Sequence, residues 1–397
     1  MSDSVRAYGA VTKSFHWITA ALILAIIPLG LVAADWPADT DAALSIKTTL
    51  FSIHKTLGVT VFFVALLRIV WALGQQKPGP MHPERKSETL LAEIVHWVLY
   101  GSLVAAPLTG WLHHAASTGF APIWWPFGQS LPFVPKDPDV AHLFGGMHWV
   151  LTKVMVAAVV LHVAGALKHH LIDKDATLRR MWFGTVALPR VPHHRTPVIA
   201  PVLAVVVLMA GAGTGVALSV TGSDQQTAAA LEQVASDWTV QDGNVSITVI
   251  QMGSEVTGQF ADWTASISFD PQAEAEAGTV DVTVAIGSLS LGSVTDQAMG
   301  ADFFNTDAFP TASFSAPILR QDDGSYIADG TLTLKGTQAP VTLPFDLVLD
   351  GDTATASGQT SLNRQTFGIG ESMTTSDNLG FDVVLDVTLT ATRGAQD

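Results

Sequence analysis

His148 and His162 stand fourteen residues apart in GGMHWVLTKVMVAAVVLHVAGALKHH, residues 145–170, a run otherwise apolar enough to sit inside a bilayer. At helical rise that interval spans about 21 Å, and the second imidazole lands only about 40° round from the first. Both rings therefore look inward from one face, near opposite edges of the hydrocarbon, where ionisable side chains serve ligation, transport or proton relay. Two further histidines, His16 in SFHWITA and His54 in SIHKTLG, lie in other apolar runs. Facing imidazoles can form a hydrogen-bonded pair, a proton relay or the two axial ligands of a b-type haem. The chain has no cysteine. That excludes disulfides, zinc-thiolate and iron-sulfur sites and thioether-linked haem, and leaves histidine as the main candidate metal ligand.

Five stretches are long and apolar enough to carry these residues across a membrane: about 14–34, 50–73, 90–113, 142–167 and 197–220. The first follows a short basic head, Arg6 and Lys13, but is too long for a simple signal core and reads as an uncleaved first helix. Basic residues concentrate on cytoplasmic loops. Lys77, Arg85 and Lys86 lie between spans two and three, and Lys168, Lys174, Arg179, Arg180, Arg190 and Arg195 between four and five; the alternate loops hold Asp35, Asp39, Asp41, Asp137 and Asp139 against Lys47 and Lys136. The N-terminus is therefore expected in the cytoplasm and everything after about residue 221 outside.

Depth follows from direction. His16 and His162 fall near the inner edge, His54 and His148 near the outer one. Four intramembrane histidines at two matched depths, with no carboxylates beside them in sequence for a relay, favour bis-histidine haem over a proton path. His96, on span three, has no level partner and is expected to pack or to hydrogen-bond a ligand. His169 and His170 sit at the inner end of span four, where the helix dipole and head groups suit them; His82, His113, His114, His142, His193 and His194 fall in loops or at span ends. Lys55 and Lys153 stand beside the outer pair and either snorkel or, with Lys47 and Lys136, neutralise haem propionates and attract a small anion. Trp17, Trp36, Trp71, Trp111, Trp124, Trp125 and Trp149 read as an interfacial belt, and Pro28 and Pro107 as kinks.

These residues carry a resemblance. His16-Trp17, His54-Lys55-x-Leu-Gly, His96-x-x-Leu-Tyr, Pro107-Leu-Thr-Gly-Trp, His148, Leu161-His162, Ala166-Leu-x-His-His and Arg180-Met181 resemble, in order, the bacterial cytochrome b561 family over about residues 5–185. The resemblance implies a four-helix di-haem transmembrane bundle with two b haems, ligated by His16, His162, His54 and His148. Some members resemble superoxide oxidases, which pass electrons from superoxide to ubiquinone; others are quinone-linked carriers.

The second half is a different object. Residues 1–223 carry 16 Lys+Arg against 11 Asp+Glu, and residues 224–397 carry 4 against 24, an acidic balance that argues against nucleic-acid binding. From Trp238 the period becomes two: VSITVI, DWTASISFD, TVDVTVAI, SYIADGTLTL, APVTLPFDLVLD and GFDVVLDVTLT alternate, with QDGN, EAGT, QDDGS and LDGD as turn signals. About eight strands fit an all-β antiparallel, closed barrel able to enclose a small ligand, with a sandwich as the alternative. TGQFADWTASISFDP, ADFFNTDAFPTASFSA, DGTLTLKGTQAPVTLPFDL and NRQTFGIG resemble the YceI-like domain over about 236–394. That implies a lipocalin-like barrel that binds polyisoprenoid chains. Phe260, Trp263, Phe269, Phe303, Phe304, Phe309, Phe314, Phe345 and Phe367 are its candidate ligand contacts, each also readable as barrel core. Gln251 stands where the family often has histidine, so the family's headgroup contacts do not carry over.

The expected organisation is a multi-domain membrane protein: a di-haem bundle over 1–190, a fifth transmembrane helix over 191–222 threading the chain outward, a linker over 223–236 and a periplasmic barrel over 237–397. The expected function is electron transfer between superoxide and ubiquinone in a bacterial inner membrane, with the barrel holding an isoprenoid quinone at high effective concentration. A non-enzymatic isoprenoid carrier with structural haems, and a quinol-oxidising donor to a periplasmic acceptor, are the alternatives.

Overall fold

A computed structural model describes residues 8–117, 119, 121–126, 128–183, 196–221, 231 and 236–394. They fall into two compact units, one helical and one built on a single sheet. The expected linker, Arg190, Arg195, His193 and His194 lie wholly or mostly outside the described residues.

The helical unit runs α1 (Ala10–Asp35), α2 (Asp41–Leu73) from Thr49 onward, α3 (Lys86–Ala116), α4 (Pro138–Leu171), the short α5 (Thr177–Met181) and α6 (Ile199–Thr221). All but α5 are long and apolar enough to cross a membrane. Several helices overrun their apolar stretch because polar residues cap or extend them. Asp137 precedes α4, accepts hydrogen bonds from the Asp139 and Val140 amides, and is followed by Pro138 in the first turn, where its missing N–H is no loss. Pro28 and Pro107 lie inside α1 and α3.

Side-chain burial between α1, α2 and α3 centres on Ile23, Val61, Ala65 and Leu103. The fifth span is more than a connector. A Cβ on Gly146 of α4 would come within 2.5 Å of the Gly215 carbonyl of α6, and one on Gly215 within 2.6 Å of the Gly146 carbonyl. The two backbones touch as only glycine permits, the usual way helices associate where lipid removes the hydrophobic drive. Ala204 of α6 is buried with Val95, Val98 and Ala158 of α3 and α4.

Not every tryptophan belongs to an interfacial belt. Trp111 is buried with Val59 and Ile123 and meets Trp125 edge-on at 4.9 Å. Trp17 donates to the Met181 carbonyl and Trp71 to the Thr12 hydroxyl, tying segments at one end of the unit.

The other unit is a curled antiparallel sheet of ten strands: β1 (Trp238–Gln251), β2 (Ser254–Phe260), β3 (Trp263–Phe269), β4 (Glu276–Ala285), β5 (Leu289–Ser290), β6 (Thr311–Arg320), β7 (Tyr326–Leu334), β8 (Thr337–Asp350), β9 (Thr353–Asn363) and β10 (Leu379–Arg393). A helix, α7 (Thr295–Met299), falls between β5 and β6. Spatial order is β3-β4-β6-β7-β8-β9-β10-β1-β2-β5. Ten strands stand where about eight were expected, and among the described residues no ladder joins β3 to β5, so the sheet is a half-barrel, not a closed barrel. The break has a local cause: the chain turns at Ala261 and Asp262, and β2 and β3 part instead of continuing as one strand. Ser236 and Asp237 bridge that gap, through Ile267 N to Ser236 Oγ at 2.8 Å and Asp237 N to the Ile267 carbonyl at 3.1 Å.

Two expected turns are bulges. QDGN lies within β1, which slips register between Val240 and Asp242, and EAGT lies within β4, which slips between Glu276 and Gly278. At Gly243 a Cβ would meet the Trp263 ring at 2.7 Å, so the glycine serves a close approach and not a reversal. QDDGS and LDGD are turns, with Gly324 and Gly351 at φ 90° and 59°.

Candidate functional site

The helical unit brings the four histidines together two by two. His16 of α1 faces His162 of α4 with ring centres 6.1 Å apart, and His54 of α2 faces His148 of α4 at 6.4 Å. A metal–nitrogen bond of about 2 Å on each side, with each ring centre about 1.2 Å behind its nitrogen, would put two imidazoles that share a metal roughly 6.4 Å apart. A direct N–H···N bond of about 2.9 Å would bring the centres to roughly 5.3 Å. Both separations fit a shared iron and exceed a direct bond.

The His54–His148 pair is held by a repeated device. His54 Nδ1 donates to the Ile26 carbonyl at 3.1 Å, and His148 Nδ1 donates to the Ala106 carbonyl at 2.8 Å. In each case the residue one turn later on the accepting helix is glycine, Gly30 and Gly110. A Cβ at Gly30 would stand 2.7 Å from His54 Cε1, and one at Gly110 would stand 2.9 Å from His148 Nδ1. A side chain covers the turn N-terminal to its own Cα, so a glycine four residues on uncovers the carbonyl and leaves a flat bed for the ring. The bond to Nδ1 fixes the tautomer and leaves Nε2 unprotonated, the nitrogen that could bind a metal. The chain's residues therefore fit a bis-imidazole group at this level.

His113 repeats the arrangement. Its Nδ1 donates to the Ala141 carbonyl at 2.7 Å, over Gly145. Sequence reasoning gave it no role; glycines facing a histidine across a helix pair were the available signal. His96 also departs from expectation, because it does have a neighbour: its ring centre lies 5.0 Å from that of His162. The depth argument missed this, since α3 begins at Lys86 and its register against α4 is set by packing, not by loop position.

Lys55 does not snorkel. It is buried, and its ammonium donates to the Ala121 carbonyl at 2.6 Å while Thr56 Oγ1 accepts from the Trp124 amide at 3.0 Å. The segment around 121–124 thus folds over the helix turn that carries His54. Lys153 is exposed, with its ammonium 5.2 Å from the Trp149 ring.

A charged cluster closes the far end of α4. His169 Nδ1 lies 2.7 Å from Asp175, His82 Nε2 lies 3.2 Å from the same oxygen, and the two imidazoles stack at 6.1 Å. Lys168 bridges Glu88 at 2.6 Å and Asp173 at 2.8 Å, and Arg85 reaches Asp173 at 3.0 Å. Lys168 and Arg85 hold the Asp173 carboxyl down at about 2. His82, His169, Asp173 and Asp175 have the atom types of a metal site, but the ammonium and guanidinium already stand where a cation would meet Asp173. His169, at the end of α4 where the helix dipole and head groups suit it, is also a member of this ion network.

The curled sheet encloses a cavity of about 290 Å³ with an almost wholly apolar wall. Phe260, Trp263, Phe269, Phe303, Phe304, Phe314, Phe345 and Phe367 line it. Phe309 does not: it lies against Gly336, whose Cβ would come within 2.8 Å of the ring. At one rim Arg364, buried and without a carboxylate in hydrogen-bonding contact among the described residues, donates to the carbonyls of Gly380, Ile369, Gly370, Met373 and Leu379 at 2.7–3.2 Å. The guanidinium organises that loop, and burial lowers its pKa.

Comparison with known proteins agrees with this division. A family model for prokaryotic cytochrome b561 matches residues 7–184, and one for the YceI-like domain matches residues 238–391. The chain is 29% identical over 182 residues to cytochrome b561 homolog 2 of Escherichia coli, covering 45% of this chain and 93% of that one. It is 27% identical over 180 residues to a probable superoxide oxidase of Yersinia pestis, covering 44% and 96%. Among solved structures, Burkholderia cenocepacia BcnA is 30% identical with a TM-score of 0.36, over 38% of this chain and 96% of that one. Five membrane-length helices bearing paired histidines, followed by a curled sheet around an apolar cavity, thus have a shared explanation: the chain is an integral inner-membrane protein that joins a prokaryotic cytochrome b561 domain to a YceI-like domain.

Proposed function

We propose that the chain is a di-haem b cytochrome that passes electrons between superoxide and ubiquinone. The observation that carries the reading is the spacing of the two histidine pairs, 6.1 and 6.4 Å between ring centres. His16 and His162 would hold one haem, His54 and His148 the other. Bound haem supplies a one-electron carrier at each level; the protein supplies ligation, spacing and electrostatics. Ile26 and Ala106 orient the outer rings through Nδ1, and Gly30 and Gly110 keep room for them. Lys55 places an amine one residue from His54, donating to the Ala121 carbonyl. Protonated, it favours an anion, as superoxide is, at that level of the bundle. Lys153 is a weaker candidate for the same role, since it stacks on Trp149. Loop charges support a cytoplasmic N-terminus and a periplasmic C-terminal domain, with the tether over 223–236.

YceI-like domains bind isoprenoid-like ligands, and the cavity has the wall such a chain needs. We assign it an isoprenoid quinone. The same cavity supports the second reading, in which the domain ferries an isoprenoid and the haems only stabilise the bundle. One experiment separates them: purified protein is examined anaerobically by visible spectroscopy with a superoxide pulse, then with ubiquinone. Haem reduction by superoxide followed by reoxidation by ubiquinone is expected. Haems inert to both would overturn the enzyme reading, and reduction by ubiquinol alone would indicate a quinol-oxidising donor.

A further inference from the structure

The wall of the apolar cavity runs from Trp238 to Ala391 with one exception, Leu44, which is 2% exposed. Residues Pro37–Thr48 belong to the sheet unit, so α2 begins within it. Three separate rim elements hold this segment. In the loop that precedes β10, the Thr374 and Thr375 amides donate to Asp41 Oδ2 at 2.8 and 3.2 Å, and Asn378 Nδ2 donates to Asp41 Oδ1 at 2.9 Å. From α7, Gln297 Nε2 donates to the Ala38 carbonyl at 3.1 Å. At the β1–β2 hairpin, Thr48 Oγ1 stands 3.3 Å from Met252 Sδ. Asp41, Leu44 and Thr48 follow at intervals of three and four, so they share one face of the helix, with the leucine between the two anchors.

Loop and segment suit each other locally. Arg364 takes the carbonyls of Ile369, Gly370, Met373 and Leu379, which leaves the Thr374 and Thr375 amides for a carboxylate. On the other side Thr40 Oγ1 accepts from the Ala43 amide at 3.2 Å and caps α2, so Asp41 need not cap its own helix. We infer that Pro37–Thr48 is the stopper of the cavity: Leu44 closes the opening between the loop, α7 and the hairpin, Asp41 latches it shut, and an apolar ligand exchanges when the latch opens. The identity of the ligand rests on the isoprenoid reading given above; the closure does not. The bonds to Thr374 and Thr375 are exposed to water, where each is individually weak, and a single leucine is a small plug. The closure is therefore reversible.

Because the chain has no cysteine, introduced thiols report on single positions. In purified full-length protein, Leu44→Cys is expected to react with N-ethylmaleimide at least about tenfold more slowly than Ala42→Cys, at an exposed position of the same turn. Adding Asp41→Ala should speed the Leu44→Cys reaction roughly tenfold. The second arm uses the double variant Ser45→Cys, Asn378→Cys, whose native side chains meet at 3.3 Å, loaded under reductant with a radiolabelled long-chain polyprenol. Oxidation to the disulfide is expected to slow release of the polyprenol to phosphatidylcholine vesicles at least about tenfold, and reductant to restore it. Release unchanged by a disulfide verified by mass spectrometry would overturn the inference and leave isoprenoid binding standing. A pair that does not cross-link would overturn the placement of the segment on the rim. If no polyprenol binds, the isoprenoid reading falls and labelling alone decides the closure: equal rates for Leu44→Cys and Ala42→Cys overturn it.

Discussion

Replacing Gly110 with alanine tests the seat of the His54–His148 pair most directly. The new Cβ would stand 2.9 Å from His148 Nδ1 and 3.0 Å from Cε1, closer than carbon tolerates, so the ring must move by several tenths of an ångström. That movement pulls Nδ1 off the Ala106 carbonyl, to which it is bonded at 2.8 Å. Overpacking at a tight position costs about 1–3 kcal/mol, and the lost bond about 0.5–1.5 kcal/mol. Together they weaken haem retention at this level by about 10- to 2,000-fold. Haem per protein is measured by pyridine haemochrome, and the two α-bands are resolved at low temperature. Gly110→Ala is expected to lose one haem of two, with the band belonging to His16 and His162 unchanged. Gly30→Ala, whose Cβ would meet His54 Cε1 at 2.7 Å, should lose the same band. Gly165→Ala on α4, with no atom within 4 Å of its Cβ, should lose neither. Full haem content with two undisturbed bands in Gly110→Ala would refute the reasoning.

Lys55→Gln is expected to slow reaction with superoxide several-fold at every ionic strength, because a buried charge is little screened; stopped-flow rates that fall only at low salt would place the charge at the surface instead. Arg364→Met leaves five carbonyls without their donor and should destabilise the sheet unit by about 3 kcal/mol or more, read as a lower denaturant midpoint. Asp173 has a folded pKa near 2 against an ordinary 3.8, so the contribution of its pairs with Lys168 and Arg85 is complete above about pH 4 and is lost as pH falls toward 2. Fluorescence of Trp17 and Trp182, which meet at 5.3 Å, should report that loss, and Asp173→Asn should flatten the profile.

The pairing of His16 with His162 and of His54 with His148 was legible because helical rise and loop charge are properties of the chain alone. What seats those rings was not. Gly30 and Gly110 look like ordinary membrane-helix glycines until a histidine from another helix is laid on them, and which helices meet is a tertiary fact. Lys55 read as a surface charge because nothing in its neighbourhood announces that residues near 121 fold over it. His96 was set apart from His162 for the same reason. In the second half, period-two alternation located the strands well, but an Asp-Gly dipeptide marked a bulge at QDGN and turns at QDDGS and LDGD. The Trp263 ring against Gly243 decided that at QDGN.

One rod, α4, carries a ring from each pair. On the di-haem reading proposed above, its fourteen-residue interval acts as a ruler that would set how far an electron hops between levels, independently of every loop. Inserting a single residue between His148 and His162 would swing the lower ring by about 100° and strand it, whereas seven would bring it back to nearly the same bearing about 10 Å farther away. Tunnelling falls off steeply with distance, so that longer version could keep both its pigments and still conduct poorly.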